Sequence, residues 1–163
     1  MLRRLSKDDL DIILQIRNSK SVSMYMKSRH KITSQEHVNW FNSITLDNSK
    51  IPLVYEEQGS IKGFVMFERL SDEKSLEWGF YVKPHSEKGL GKRMGNLAIK
   101  YAFNTLNANE IIGEVLSFNE VSRSYHLKLG FTESEIKQNA YQNDETFYDI
   151  FVYKLLRRDW REI

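Results

Sequence analysis

Between Ile51 and Val82, three strand-like segments follow one another with only tight turns between them. Ile51 to Glu57 is the first, Ile61 to Leu70 the second, and Ser75 to Val82, rich in aromatic residues, the third. Gln58-Gly59-Ser60 and Ser71-Asp72-Glu73-Lys74 are too short to carry a crossover, so these segments have to pair antiparallel. Such a sheet needs helices to cover it.

The helices are written on either side. Leu2 to Leu5 reads as a short first strand, and Ser6 with Asp9 resembles a capping box ahead of Leu10, Ile13, Leu14 and Arg17 at helical spacing. Asn18 to Arg29 is polar and irregular but carries Met24, Tyr25 and Met26. Thr33-Ser34-Gln35-Glu36 is a second capping box, and Val38, Phe41, Ile44 and Thr45 continue as a helix that ends at Asp47-Asn48-Ser49. After the third strand, Lys83 to Gly91 is a glycine-containing loop. It leads into a helix over Lys92 to Phe103, with Met94, Leu97, Ala98, Tyr101 and Ala102 on one side. Glu110 to Leu116 is a strand, and Asn119 to Leu129 is a helix stopped by Gly130. Phe131 to Lys137 and Phe147 to Leu155 form a last antiparallel pair around a polar loop, Gln138 to Thr146. This order predicts an α/β (α+β) fold: a mixed, mostly antiparallel sheet of about seven strands with one crossover, flanked by about four helices.

A length of 163 residues fits one domain with a sizeable core, and residues 1–163 read as such, without repeats or a proline-rich linker. With 24 Lys plus Arg against 22 Asp plus Glu, the net charge of +2 argues against a nucleic-acid partner, which needs a strongly basic face. No cysteine occurs, which excludes disulfides, thiolate nucleophiles and Cys-based zinc sites. His30 and His85 have no metal-ligating partners at suggestive spacing, so no metal is expected. No apolar run approaches the roughly 20 residues that span a bilayer. The start, Met1-Leu2-Arg3-Arg4-Leu5, meets Lys7, Asp8 and Asp9 too early for a signal peptide, so no membrane partner and a cytoplasmic location are expected.

The segment His85-Ser86-Glu87-Lys88-Gly89-Leu90-Gly91-Lys92-Arg93 joins a strand to a helix. Two glycines one residue apart let backbone N–H groups approach an anion, the helix N-terminus adds its dipole, and Lys88, Lys92 and Arg93 add charge. That suits a pyrophosphate. No Gly-Lys-Ser/Thr follows, so it is not a Walker loop, and the missing third glycine and antiparallel context exclude a dinucleotide fingerprint. A plain tight turn is the bland alternative. Downstream, Asn119 is suited to cap the next helix. Asn119, Ser122 and His126 share a polar stripe, while Val121, Tyr125 and Leu129 form an apolar stripe expected to face the core.

The loop Lys88-Gly89-Leu90-Gly91 with its helix, then a strand, then Asn119 through His126 to Lys128-Leu129-Gly130-Phe131, resembles the acetyl-CoA signature of the GCN5-related N-acetyltransferases (GNAT). The resemblance covers nearly the whole chain, including its element order. Where the family usually opens the glycine loop with Gln or Arg, this chain has Ser86. Further segments resemble a subfamily acting on a UDP-linked amino sugar, UDP-4-amino-4,6-dideoxy-N-acetyl-β-L-altrosamine, in pseudaminic acid biosynthesis, which supplies the sugar that decorates flagellin. These segments are Arg17-Asn18, Met24-Tyr25-Met26, Glu36-His37 with Trp40-Phe41, Glu77-Trp78-Gly79-Phe80-Tyr81 and Lys100-Tyr101-Ala102-Phe103.

The resemblance implies acetyl-CoA as co-substrate and direct transfer within a ternary complex, with no acyl-enzyme. Lys88, Gly89, Leu90, Gly91, Lys92 and Arg93 would hold the pyrophosphate. Phe80, Tyr81 and Val82 would run along the pantetheine, with a backbone N–H polarising the thioester, and Asn119 and Ser122 would hydrogen-bond pantetheine groups. Glu114 is the expected base, with Glu77 the second candidate. His126 stands where the family usually has a tyrosine acid, with Tyr125 one residue earlier, and the stripes favour His126. Each has a plainer reading, Glu114 as a solvent-facing strand residue and His126 as packing.

For the second substrate, Arg17 matches a diphosphate, and Asn18, Tyr25, Met26 and His37 would contact base or sugar. Tyr25, Met26, Trp40 and Phe41 also fit simple core. A ribosomal-protein or peptide N-terminal acetyltransferase and a silent acetyl-CoA-binding module are the alternatives. The carboxy-terminal Arg157-Arg158-Asp159-Trp160-Arg161 is a candidate homodimer contact or a solvated tail.

Overall fold

Residues 1–161 are described by the computed structural model, so the last two positions of the expected 1–163 domain lie outside the described residues. The fold is mixed α/β, with a seven-stranded sheet in the spatial order β1 (Leu2–Arg4), β2 (Lys50–Glu57), β3 (Ser60–Arg69), β4 (Ser75–Val82), β5 (Glu110–Leu116), β7 (Thr146–Leu156), β6 (Thr132–Asn143). The chain divides into two compact units, Met1–Glu68 with Gly79–Leu97, and Arg69–Trp78 with Ala98 onward.

In the first unit, β1 (Leu2–Arg4) pairs antiparallel with β2 (Lys50–Glu57), which pairs antiparallel with β3 (Ser60–Arg69). Of the Ser6–Asp9 capping box the returning leg forms, with Asp9 Oδ2 accepting from the Ser6 N–H and hydroxyl at 2.8 Å, and it closes a 3-10 turn (Lys7–Asp9) that hands over to α1 (Leu10–Asn18). Asp9 is held from outside by Arg3, whose guanidinium donates to both carboxylate oxygens at 2.7 and 2.9 Å and holds that carboxyl down to about 2. The irregular segment after α1 contains a single further turn, α2 (Lys20–Ser23). Both legs of the Thr33–Glu36 capping box start α3 (Ser34–Leu46). Leu5, Leu10, Ile13, Ile44, Val54 and Phe64 form the core here, with Val38, Trp40, Phe41 and Tyr81 packed against it.

The second unit carries the crossover. The first half of β4 (Ser75–Val82) runs parallel to β5 (Glu110–Leu116), from Ser75 opposite Glu110 to Trp78 opposite Gly113. β5 pairs antiparallel with β7 (Thr146–Leu156), and β7 with β6 (Thr132–Asn143). Here the structure corrects the sequence reading. The polar stretch 138–146 is not a loop: it continues β6 through a register shift between Lys137 and Tyr141, then turns at Asp144, whose φ is 52°. Polar residues fit because most of β6 is exposed. At the far end Trp160 packs on Phe103 with ring centroids 5.3 Å apart, so this tryptophan is anchored and is not part of a loose tail.

The two remaining helices also differ from expectation. α4 (Leu90–Asn104) begins two residues early, taking Leu90 and Gly91 into its first turn. Its Leu90, Met94, Ala98, Ile99, Ala102 and Phe103 are buried, whereas Leu97 is exposed. α5 (Glu120–Lys128) has its stripes reversed: His126 is buried, Tyr125 is half-buried and Val121 is 72% exposed. Among the described residues no helix is long and apolar enough to cross a membrane.

Candidate active site

In the first unit, the glycine loop is built as an anion cradle. Ser86 donates its hydroxyl to the Lys83 carbonyl at 2.6 Å, fixing the loop entry, so its side chain faces the loop's own backbone. Gly89 has φ +91°, a conformation that glycine adopts without strain. A Cβ there would meet only Arg93 Nη1 at 3.6 Å, so the constraint is conformational. Leu90 is a correction to the expected lining, because its side chain is buried and its N–H donates to the Glu87 carbonyl at 3.2 Å. It anchors the loop to the core. Lys88 and Lys92 are exposed beside the start of the 15-residue helix α4. Arg93 is held by Glu57 at 3.0 Å and by Glu87, so much of its charge is already balanced. Gly63 serves the same region by close approach, since a Cβ there would come within 2.5 Å of Met94 Sδ and 2.9 Å of the Tyr81 carbonyl. With two exposed lysines, a positive-φ glycine and a helix N-terminus, the loop fits the pyrophosphate of a coenzyme A thioester.

A second cluster in the same unit gathers Arg17, His37 and Tyr81. Arg17 donates Nη2 to the Ser28 carbonyl at 2.6 Å, while its Nη1 is buried without a partner. His37 is 5% exposed and stacks on Trp40 with centroids 4.9 Å apart. It hydrogen-bonds the backbone of Leu10, and its Nε2 is buried without a partner. Burial lowers the proton affinity of His37 and the Arg17 charge adds to this, against the opposing hydrogen bond to the Leu10 backbone and the charge of Asp11. Burial likewise lowers that of Arg17 and raises that of Tyr81, which stacks on Phe64 at 5.2 Å. Among the described residues no carboxylate pairs with Arg17. Asn18 turns inward instead of outward: its Nδ2 donates to the Ile32 carbonyl at 2.8 Å and its Oδ1 accepts from the Ile32 N–H at 2.9 Å. It pins the segment bearing half-buried Tyr25 and Met26. Trp40 and Phe41 pack on the core.

The second unit holds the proton-transfer candidates. Glu114 lies on β5, half-buried, and accepts from Lys137 Nζ on β6. Asn119 caps α5 as the sequence reading anticipates, its Oδ1 accepting from the Ser122 N–H at 3.1 Å. His126 faces inward. Its Nδ1 is 2.8 Å from the Ser122 carbonyl, and its Nε2 is 3.1 Å from Trp78 Nε1. A carbonyl only accepts and an indole N–H only donates, so the ring is neutral, with the proton on Nδ1. Burial pushes its pKa down to about 4. Tyr153 stacks on it at 5.2 Å and Phe131 meets it edge-on at 5.1 Å. The one proton of this imidazole is directed at the Ser122 carbonyl and its other nitrogen is taken by Trp78, so this geometry speaks against His126 as the acid. Gly113 explains how the pair fits: a Cβ there would collide with His126 Nε2 and lie 2.9 Å from Trp78 Nε1. Sequence reasoning missed both Gly113 and Lys137. Trp78 stands in the sequence as part of an aromatic strand and of the segment Glu77-Trp78-Gly79-Phe80-Tyr81, with no role of its own.

The chain with this seven-stranded, mostly antiparallel sheet is an acyltransferase by its family: the acetyltransferase (GNAT) domain family matches residues 1–132. The chain belongs to this family. It is 29% identical over 146 residues to Acetyltransferase PseH of Campylobacter jejuni subsp. jejuni serotype O:23/36 (strain 81-176), covering 90% of this chain and 87% of that protein. It is 27% identical over 147 residues to the spermidine N(1)-acetyltransferase of Escherichia coli (strain K12), covering 88% and 79%. The crystal structure of spermidine N-acetyltransferase from Vibrio cholerae in complex with CoA and spermine superposes with a TM-score of 0.88 at 23% identity, over 98% of this chain and 96% of that one.

Proposed function

We propose that this protein transfers the acetyl group of acetyl-CoA to the 4-amino group of a UDP-linked 4-amino-4,6-dideoxy sugar, a step of pseudaminic acid biosynthesis that serves flagellin glycosylation. The observation that carries the acceptor class is Arg17, a half-buried guanidinium with no carboxylate partner among the described residues and one nitrogen unsatisfied. Such a group favours an anionic ligand such as a diphosphate and disfavours a polycation. The similarity to Acetyltransferase PseH supports the same reading. The reaction is placed in the cytoplasm.

Glu114 takes the amine proton, and Glu77, on the same sheet face, is the second carboxylate available for that role. The backbone of Phe80, Tyr81 and Val82 runs along the pantetheine, and Asn119 and Ser122 contact it. Lys88, Gly89, Gly91 and Lys92 hold the pyrophosphate. Because His126 is committed to Trp78 and Ser122, the half-buried phenol of Tyr125 is assigned as the proton donor to the thiolate. A homodimer is part of the proposal only as an arrangement to be tested by its mass in solution.

The test is thiol release from acetyl-CoA with UDP-4-amino-4,6-dideoxy-N-acetyl-β-L-altrosamine, run beside another nucleotide-linked 4-amino sugar, amino-terminal peptides and spermidine. Saturable turnover with the sugar nucleotide, lost in Glu114→Ala, is the expected result. Turnover on peptides or spermidine alone, or acetyl-CoA binding without turnover on any amine, overturns the sugar-nucleotide reading.

A further inference from the structure

Glu114 lies opposite Val152 on β7, and Lys137 lies opposite Ile150 on the same strand. Directly paired residues on neighbouring strands face one side of a sheet, and so do residues two apart. Both side chains therefore stand on one face and reach over β7 to meet. Lys137 Nζ donates to Glu114 Oε1, with the carboxylate side chain 19% exposed and the lysine side chain 41% exposed.

The other charges on this face fix the meaning of the pair. Glu77 of β4 is opposite Ile112, two residues before Glu114, and Glu135 of β6 is opposite Val152. Lys137 thus sits among three carboxylates, Glu114, Glu135 and Glu77, and their charges raise its own proton affinity, the Glu114 hydrogen bond most of all. Further along the face, Lys154 lies 3.7 Å from Glu110 and is occupied there. Without a cation, neighbouring carboxylates favour each other's protonation. A protonated carboxyl cannot accept a proton from an amine.

We propose that Lys137 is a positioning residue for acetyl transfer: its ammonium fixes the direction of the Glu114 carboxylate and keeps it ionised, ready to take the amine proton. This rests on the reading of Glu114 as the base. The lysine touches neither substrate in this scheme and acts only through Glu114.

The test follows the Glu114 carboxyl by carbon-13 NMR across pH, its resonance assigned by its absence in Glu114→Gln. The pH profile of kcat/KM for thiol release with the UDP-4-amino-4,6-dideoxy sugar is measured alongside. Lys137→Met and Lys137→Gln are expected to raise the Glu114 midpoint by about one pH unit, with the acid limb of the profile moving the same way. Lys137→Arg keeps both near wild type. A midpoint unchanged in both neutral variants overturns the proposal, as does a midpoint that moves while the acid limb stays. Full kcat in Glu114→Gln removes the base reading and the proposal with it, and that failure is recognisable without any Lys137 variant.

Discussion

Trp78 donates its indole N–H to Nε2 of His126 at 3.1 Å, across a strand position where only glycine fits. The bond ties β4 to α5 over Gly113 and fixes the tautomer of the imidazole. It also places a titratable group where water does not reach, so pH should act on this protein through folding before it acts through this ring.

The size of that effect follows from linkage. His126 titrates at about 4 in the folded chain against an ordinary value of 6.5. Between these values the unfolded chain binds the extra proton. Stability is therefore full above pH ~6.5 and falls as pH drops towards ~4, by about 3 kcal/mol in all. Urea unfolding at pH 7 and pH 4.5 should show this loss in the wild type and a clearly smaller one in His126→Phe, where buried His37 still contributes, after subtraction of the variant's own cost at pH 7. Equal losses in both would mean that the ring is not the group responsible.

Tyr125→Phe should lower kcat by about 100-fold, a typical contribution of a positioned acid, with the dissociation constant for acetyl-CoA retained. Stopped-flow turnover and calorimetric binding separate the two quantities. The opposite pattern would be a large kcat loss in His126→Phe at unchanged melting temperature and none in Tyr125→Phe. It would return the proton to the imidazole.

Gly113→Ala should destabilise the fold by about 1–3 kcal/mol through overpacking against the Trp78–His126 pair. In a His126→Ala background the same change should cost less, because the imidazole atoms are gone and only Trp78 Nε1 still crowds the new Cβ. Denaturant midpoints of the four proteins in this cycle give the coupling directly, and additive effects would show that the collision is relieved elsewhere.

Arg17→Ala should raise KM for the sugar nucleotide by about 10- to 100-fold, the range expected for losing hydrogen bonds to a charged group. Arg17→Lys should recover only part of this, since an ammonium does not reproduce the guanidinium fork. Affinity for acetyl-CoA should not move. Steady-state kinetics with each substrate varied in turn checks all three statements, and an unchanged KM in Arg17→Ala would remove the diphosphate contact.

Much of the architecture is legible in the sequence because local rules and tertiary packing agree. Thr33 and Glu36 cap α3 as their spacing requires, and Gly89 takes the positive φ that a strand-to-helix anion loop needs. Sequence and structure part where polarity and exposure do not coincide, or where a contact joins separate elements. His126 is polar and buried, because Trp78 and the Ser122 carbonyl satisfy both its nitrogens. Val121 is apolar and exposed. Tyr141, Gln142 and Asn143 pair as strand because β6 needs only backbone partners from β7, while Asn139 sits in the register break with φ 50° and donates its N–H to the Asp149 carboxylate at 2.8 Å. The Glu114–Lys137 contact joins residues on different strands, and no periodicity along one strand announces it. Arg17 on α1 and His37 on α3 become neighbours only once the two helices pack, so sequence nominates both residues without showing that each buries an unsatisfied nitrogen.

β6 is the outermost strand of the sheet and is twelve residues long, so it would ordinarily offer a neighbouring chain a template to extend. Its register with β7 breaks twice, leaving paired stretches at Thr132–Glu133, Glu135–Lys137 and Tyr141–Asn143. Each break turns the local hydrogen-bonding direction and adds twist. The protein thereby presents an interrupted border with Glu133, Glu135 and Lys137 along it, a poor surface on which to seed polymerisation.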